Sequence, residues 1–123
     1  MTLGETVRRF DLLYPNAMEL PLKAALISQL EGRLNTELLR LYGEEDPAFT
    51  GYEAAADENT TLKIPFPFDD IYIKFLAAEN DRINGDTDRY RNSAALFNAA
   101  WEMLAAYYHR TRKPVPAPRL RAE

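Results

Sequence analysis

Six leucines, Leu22, Leu26, Leu30, Leu34, Leu38 and Leu41, recur every three or four residues between Pro21 and Gly43. That period is helical and gathers all six on one face, so the segment reads as an amphipathic helix of about 20 residues whose apolar side needs partners. Pro21 suits the first helical position, where its missing N–H costs nothing. Tyr42-Gly43 supplies the stop. Gly32, in the middle, costs up to about 1 kcal/mol relative to Ala, and a close helix–helix approach there is the expected reason.

The rest of the chain offers three further helices. Leu3 to Leu13 places Val7, Phe10 and Tyr14 on one side and ends before Pro15, which disfavours helical geometry in its predecessor. Asp69 to Ile83 has Asp69 or Asp70 as a cap, Asn84-Gly85 as a left-handed stop, and Phe68, Tyr72, Phe75, Leu76 and Ile83 as its apolar side. Asp86 caps a fourth helix that reaches about Arg112 and is ended by Pro114. The expected fold class is therefore all-α, a compact bundle of about four helices with a long irregular loop between the second and third. Residues 1–113 form a single helical domain, and 114–123 a Pro-rich basic tail in which Pro114 to Pro118 favours an extended, polyproline-like course. A chain of 123 residues, 46% hydrophobic, can bury one core unaided. With no cysteine, disulfides, thiolate metal sites and Cys nucleophiles are excluded together.

The loop, Glu44 to Pro67, contains Pro47, Gly51, Pro65 and Pro67, a turn at Asn59-Thr60-Thr61 and a short extended piece at Thr61 to Ile64. Loops of this length are functional or mobile, so binding activity is expected here. It carries Glu44, Glu45, Asp46, Glu53, Asp57 and Glu58 with no Lys or Arg between Gly43 and Leu62, while Arg110, Arg112, Lys113, Arg119 and Arg121 crowd the C-terminus. Both are either solvated segments or complementary contact surfaces. The net charge of −4 argues against a general nucleic-acid binder.

The fourth helix has two apolar rows. Tyr90, Ala94, Phe97, Trp101, Leu104 and Tyr108 form one, and Leu96, Ala100, Met103 and Tyr107 lie beside it. A helix apolar over so much of its surface is either surrounded within its domain or covered by another molecule. The grouping of Trp101, Met103, Tyr107, Tyr108 and Arg110 favours an interface, in which such residues are enriched. The candidate interface residues are thus Met103, Tyr107, Arg110, Arg112, Lys113, Arg119 and Arg121, with Glu44, Glu45, Asp46, Glu53, Asp57 and Glu58 from the loop.

No arrangement of catalytic groups is visible. The single histidine, His109, has Ala105 and Ala106 at the preceding helical positions, so it lacks a carboxylate partner for base or metal chemistry. Asp69-Asp70 and Asp86 with Asp88 read as helix caps, and Asp81 to Asp88 lacks the spacing of a calcium loop. Gly43, Gly51 and Gly85 stand alone, so there is no phosphate loop. No enzymatic activity, cofactor or small-molecule substrate is expected. The start MTLGETVRRF has no apolar stretch behind a basic one, and no apolar run spans a bilayer, so synthesis in the cytoplasm without membrane association is expected.

An ordered set of short motifs adds a resemblance. Leu30-Glu31-Gly32-Arg33-Leu34, Phe49-Thr50-Gly51-Tyr52, Ile64-Pro65-Phe66-Pro67-Phe68-Asp69, Ile71-Tyr72, Gly85-Asp86, Arg89-Tyr90-Arg91-Asn92-Ser93, Phe97-Asn98-Ala99-Ala100 and Tyr108-His109-Arg110 follow one another over Leu20 to Pro114. This succession resembles the small head–tail connector, or adaptor, proteins of tailed phages and prophages. The resemblance implies a helical adaptor at the junction of a virion's head and tail, assembling with itself as a ring and binding the portal or other neck and tail proteins. It brings no catalytic residues. A tail-completion or packaging accessory protein is the alternative, and a DNA-binding regulator using Arg110 to Arg121 a more distant one.

Overall fold

A computed structural model describes residues 1–116 of the chain. Four α-helices, α1 (Leu3–Leu13), α2 (Leu20–Glu37), α3 (Ile71–Ile83) and α4 (Thr87–Thr111), form an all-α bundle, with 3-10 turns at Leu39–Tyr42 and Phe68–Asp70. Among the described residues the single β pairing is an isolated antiparallel bridge, Thr2 to Thr61.

Local chemistry sets most boundaries. Thr2 and Glu5 make a reciprocal capping box at the start of α1. Tyr14, just past its end, stacks on Phe10 with ring centroids 5.5 Å apart. In α2 the cap is Glu19, so Pro21 falls at the second helical position rather than the first. The α geometry tightens to 3-10 after Glu37, and Gly43 ends the segment at φ 69°, a left-handed conformation that suits glycine. Asp86 Oδ1 accepts from the Arg89 N–H at 3.1 Å at the head of α4.

The core contains Leu3, Val7 and Phe10 from α1, Leu26, Ile27, Leu30 and Leu34 from α2, and Ile71, Tyr72, Ile73 and Leu76 from α3. α4 packs chiefly on α3, inserting Phe97, Leu104 and Tyr108. The leucine ladder runs past the depth of the bundle: Leu22 and Leu41, at its ends, are 39% and 45% exposed. Ile83 lies outside the core for the same reason, in the last turn of α3.

Two expectations are corrected. Nothing lies within 4 Å of where a Gly32 Cβ would sit, so no neighbouring helix requires that glycine. Neither Asp69 nor Asp70 caps α3 through its side chain. Asp69 is buried instead, 3.7 Å from the Met1 ammonium, and Asp70 pairs with Lys74 at 3.1 Å.

Residues 44–67 do not form a free arm. Glu31 is fully buried at the middle of α2, and its carboxylate accepts from Tyr52 Oη at 2.5 Å, Tyr72 Oη at 2.5 Å and Lys63 N at 2.8 Å. Tyr72 Oη in turn accepts from Ile64 N at 2.9 Å. Ser28 Oγ takes the Tyr52 N–H, and the Asn35 amide bonds both backbone groups of Asp46. Beyond these, the segment's carbonyls at Glu58 and Thr60 receive two orphan N–H groups of α1, from Gly4 at 2.9 Å and Leu3 at 3.0 Å. Leu62 and Ile64 are buried beneath it.

Glu31→Ala would strand two hydroxyl groups and an N–H inside the protein. It should lower unfolding stability by about 3 kcal/mol or more in a denaturant titration, against about 1 kcal/mol for Tyr52→Phe. Gly32→Ala, on open helix surface, should instead raise stability by about 0.5–1 kcal/mol. Burial and the Glu31 carboxylate push both the Tyr52 and Tyr72 phenols up from their ordinary value. A raised phenol contributes stability that is complete below the unfolded value and is lost as pH climbs beyond it. Alkaline titration should therefore begin to destabilise the fold above about pH 10, and phenolate absorbance should show two tyrosines ionising only on unfolding.

Candidate functional site

The one histidine is occupied within the fold, its Nδ1 hydrogen-bonded to Tyr42 Oη. Among the described residues no group of three or more His, Asp or Glu side chains could hold a metal ion. A concavity of about 260 Å³ opens between the end of α1, α3 and α4, lined in part by Tyr14, Lys74, Asn80, Arg89 and Leu96. Its carboxylate, Asp81, is engaged by Ser93 Oγ at 2.8 Å. The candidate site is thus a surface rather than a pocket.

That surface is set by how α4 rests on α3. Phe97 meets Phe75 with centroids 5.1 Å apart, and Arg33 of α2 lies over the Trp101 ring at 4.1 Å. The row Phe97, Trp101, Leu104 and Tyr108 is therefore satisfied inside the chain. α4 is not surrounded: Phe97, Leu104 and Tyr108 are its buried residues, and in the second row Leu96 and Met103 face out, 53% and 64% exposed, while Ala100 and Tyr107 pack partly against the core. Tyr107, one turn beyond Met103, is half-buried and packs on Phe68 at 4.6 Å between centroids. This contact brings the Pro65-Phe66-Pro67 turn beside the second half of α4. Phe66, in that turn, is 86% exposed.

The charged candidates divide by what they touch. Arg112 lies 4.1 Å over the Tyr108 ring and pairs with Glu44 at 2.5 Å, so loop and tail charges meet within one chain. Burial works against the Arg112 charge, but Glu44 outweighs it and holds the guanidinium firmly protonated. Tyr108 is pushed up by burial, partly offset by Arg112. Asp46 and Asp57 close turns, accepting from Ala48 N at 3.0 Å and Glu53 N at 2.6 Å, and Glu58 pairs with Arg8 at 3.3 Å. Lys63 Nζ has no hydrogen-bond partner and rests 4.7 Å from the Phe49 ring centroid, a cation–π contact. Glu45, Glu53, Arg110 and Lys113 are exposed and make no ion pair among the described residues. Arg119 and Arg121 lie outside the described residues.

The outward set is therefore Met103, Arg110, Lys113, Glu45 and Glu53, whereas Tyr107, Arg112, Glu44, Asp46, Asp57 and Glu58 work largely within the fold. Sequence reasoning passed over Phe66, although two flanking prolines mark a turn that neither helix nor central strand can absorb. It also passed over Leu12 and Leu13, 86% and 60% exposed at the end of α1. No protein-family model, no curated protein and no solved structure matches the chain.

Truncation should separate the two classes. Met103→Ala is expected to change unfolding stability by less than about 0.5 kcal/mol, and Tyr107→Ala to cost about 2 kcal/mol. Thermal denaturation of the two variants beside the parent checks the pair.

Proposed function

We propose that this chain is a non-enzymatic adaptor that binds other proteins, of the kind that joins head to tail in tailed phages and prophages. The observation that carries the reading is the outward row of α4 with the neighbouring Phe66. Large apolar side chains stand in solvent on rigid, well-packed supports, as the anchors of a protein contact do. The motif order that resembles connector proteins adds to it. Glu31, Tyr52 and Tyr72 all belong to those motifs, and they are the residues that tie the loop to the bundle.

In this reading the contact is made by a preformed face, and little ordering entropy is lost on docking. Met103 and Phe66 supply apolar anchors, and Arg110 and Lys113 a basic rim. The neighbours are further copies of the chain in a ring and the portal or other neck proteins.

The first test is the gene's surroundings: a connector lies between major-capsid and tail genes. The neighbouring portal protein should then co-sediment with the chain, and Phe66→Ser with Met103→Glu should weaken that binding at least tenfold, about 1.4 kcal/mol, without loss of helicity. A gene among unrelated metabolic functions, or a portal that ignores the folded chain, overturns the proposal.

A further inference from the structure

We propose that the outer face of α4 is the seam of a two-fold dimer, in which it lies antiparallel against the same face of a second copy. Seven residues carry the argument: Asp88, Asn92, Ala95, Ala99, Met103, Ala106 and Arg110. All seven are exposed. At 100° per residue they fall in one stripe about 80° wide, on the side of α4 opposite Phe97, Leu104 and Tyr108. Their steps are four, three, four, four, three and four, which read the same in both directions from Ala99.

That symmetry has a physical consequence. When two copies of α4 run antiparallel about an axis through Ala99, residues equally far from Ala99 face each other. Ala99 meets Ala99 once on the axis, and Ala95 meets Met103, Asn92 meets Ala106, and Asp88 meets Arg110, each of these three pairs occurring twice. Packed helices lie about 8–10 Å apart, the shorter distances needing small side chains at the contact, and the axis position is an alanine flanked by Ala95. Met103 is the flexible knob, and the hole it enters lies over Ala95 of the second copy. Leu96, 53% exposed, borders that hole and would lose solvent with it. The span of Asp88 to Arg110 is twice eleven residues, and an 11-residue period keeps the stripe almost straight along the helix.

Charge decides the direction. Asp88 and Arg110 make no ion pair among the described residues. A parallel pairing would set Asp88 against Asp88 and Arg110 against Arg110. The antiparallel one gives two opposite-charge pairs at the rim and opposes the helix dipoles. The occupant is thus a second copy of this chain, and the contact is isologous. The inference stands on α4 alone and does not depend on the connector reading, since it concerns the chain in the absence of any portal.

Because the chain has no cysteine, cross-linking gives a clean test on the full-length protein. Sedimentation equilibrium should show a concentration-dependent dimer. Ala99→Glu, which sets two carboxylates on the axis, should weaken it at least about tenfold while helicity is retained. Asp88→Arg and Arg110→Asp should each weaken it, and the two together should restore it. On mild oxidation Ala99→Cys should form a disulfide-linked dimer, whereas Ala95→Cys should not, its two copies lying eight residues, about 12 Å, apart along the axis. A protein that stays monomeric across the concentration range overturns the proposal. So does an Ala95→Cys variant that cross-links as readily as Ala99→Cys, or a charge exchange that fails to restore what each single change weakens.

Discussion

A buried carboxylate is costly to desolvate, and Glu31 is tolerated at the centre of α2 because three donors converge on it. Those donors come from the start of α3 and from two points of the intervening loop, so one side chain joins segments that are far apart in sequence. The loop's course, the placing of Leu62 and Ile64 in the core and the position of α3 against α2 all depend on it. Apolar burial alone would hold the helices together but would leave residues 44–67 several comparable paths. The Glu31 network selects one, and that path in turn supplies the carbonyls that close the first turn of α1.

The helices were legible in the sequence because their causes are local. Periodicity fixed the buried faces, and Thr2 with Glu5, Asp86, Gly43 and Gly85 act within one turn of their own position. The loop's course was not legible, because its partners on α2 lie 11 to 32 residues away and Arg112 lies 68 from Glu44. Glu31 follows Leu30 in the ladder and reads as an ordinary polar residue at the ladder's edge. Asp69 reads as a cap for the same reason, although a distant amino group claims it. The carboxylates of the loop are largely solvated, as a charge run suggests, but their turn-closing bonds and the pairing of Glu44 with Arg112 have no local signature.

Of the candidate site, the two apolar rows of α4 were legible, but not which of them faces out. That choice is made by α3 and by Arg33, which cover Phe97 and Trp101, and neither contact has a signature in α4 itself. Once the first row is taken, Leu96 and Met103 of the second are left largely in solvent, while Tyr107 turns to Phe68. The proposed roles of this chain follow from that inequality between two faces of one helix rather than from any reactive group.

The C-terminal segment leaves the bundle at a defined place. After α4 ends, Val115 N bonds Leu41 O at 2.8 Å, and Arg112 is clamped to Glu44. Val115 also comes within 3.2 Å of where a Cβ on Gly43 would lie, so the crossing is tight. In mechanical terms these contacts are a strain relief. A pull on the chain beyond Pro116 would load the 3-10 turn after α2 through them before it could peel the last turn of α4 from α3. Force entering through the tail would thus reach the segment that follows α2 first and spare the face that α4 presents.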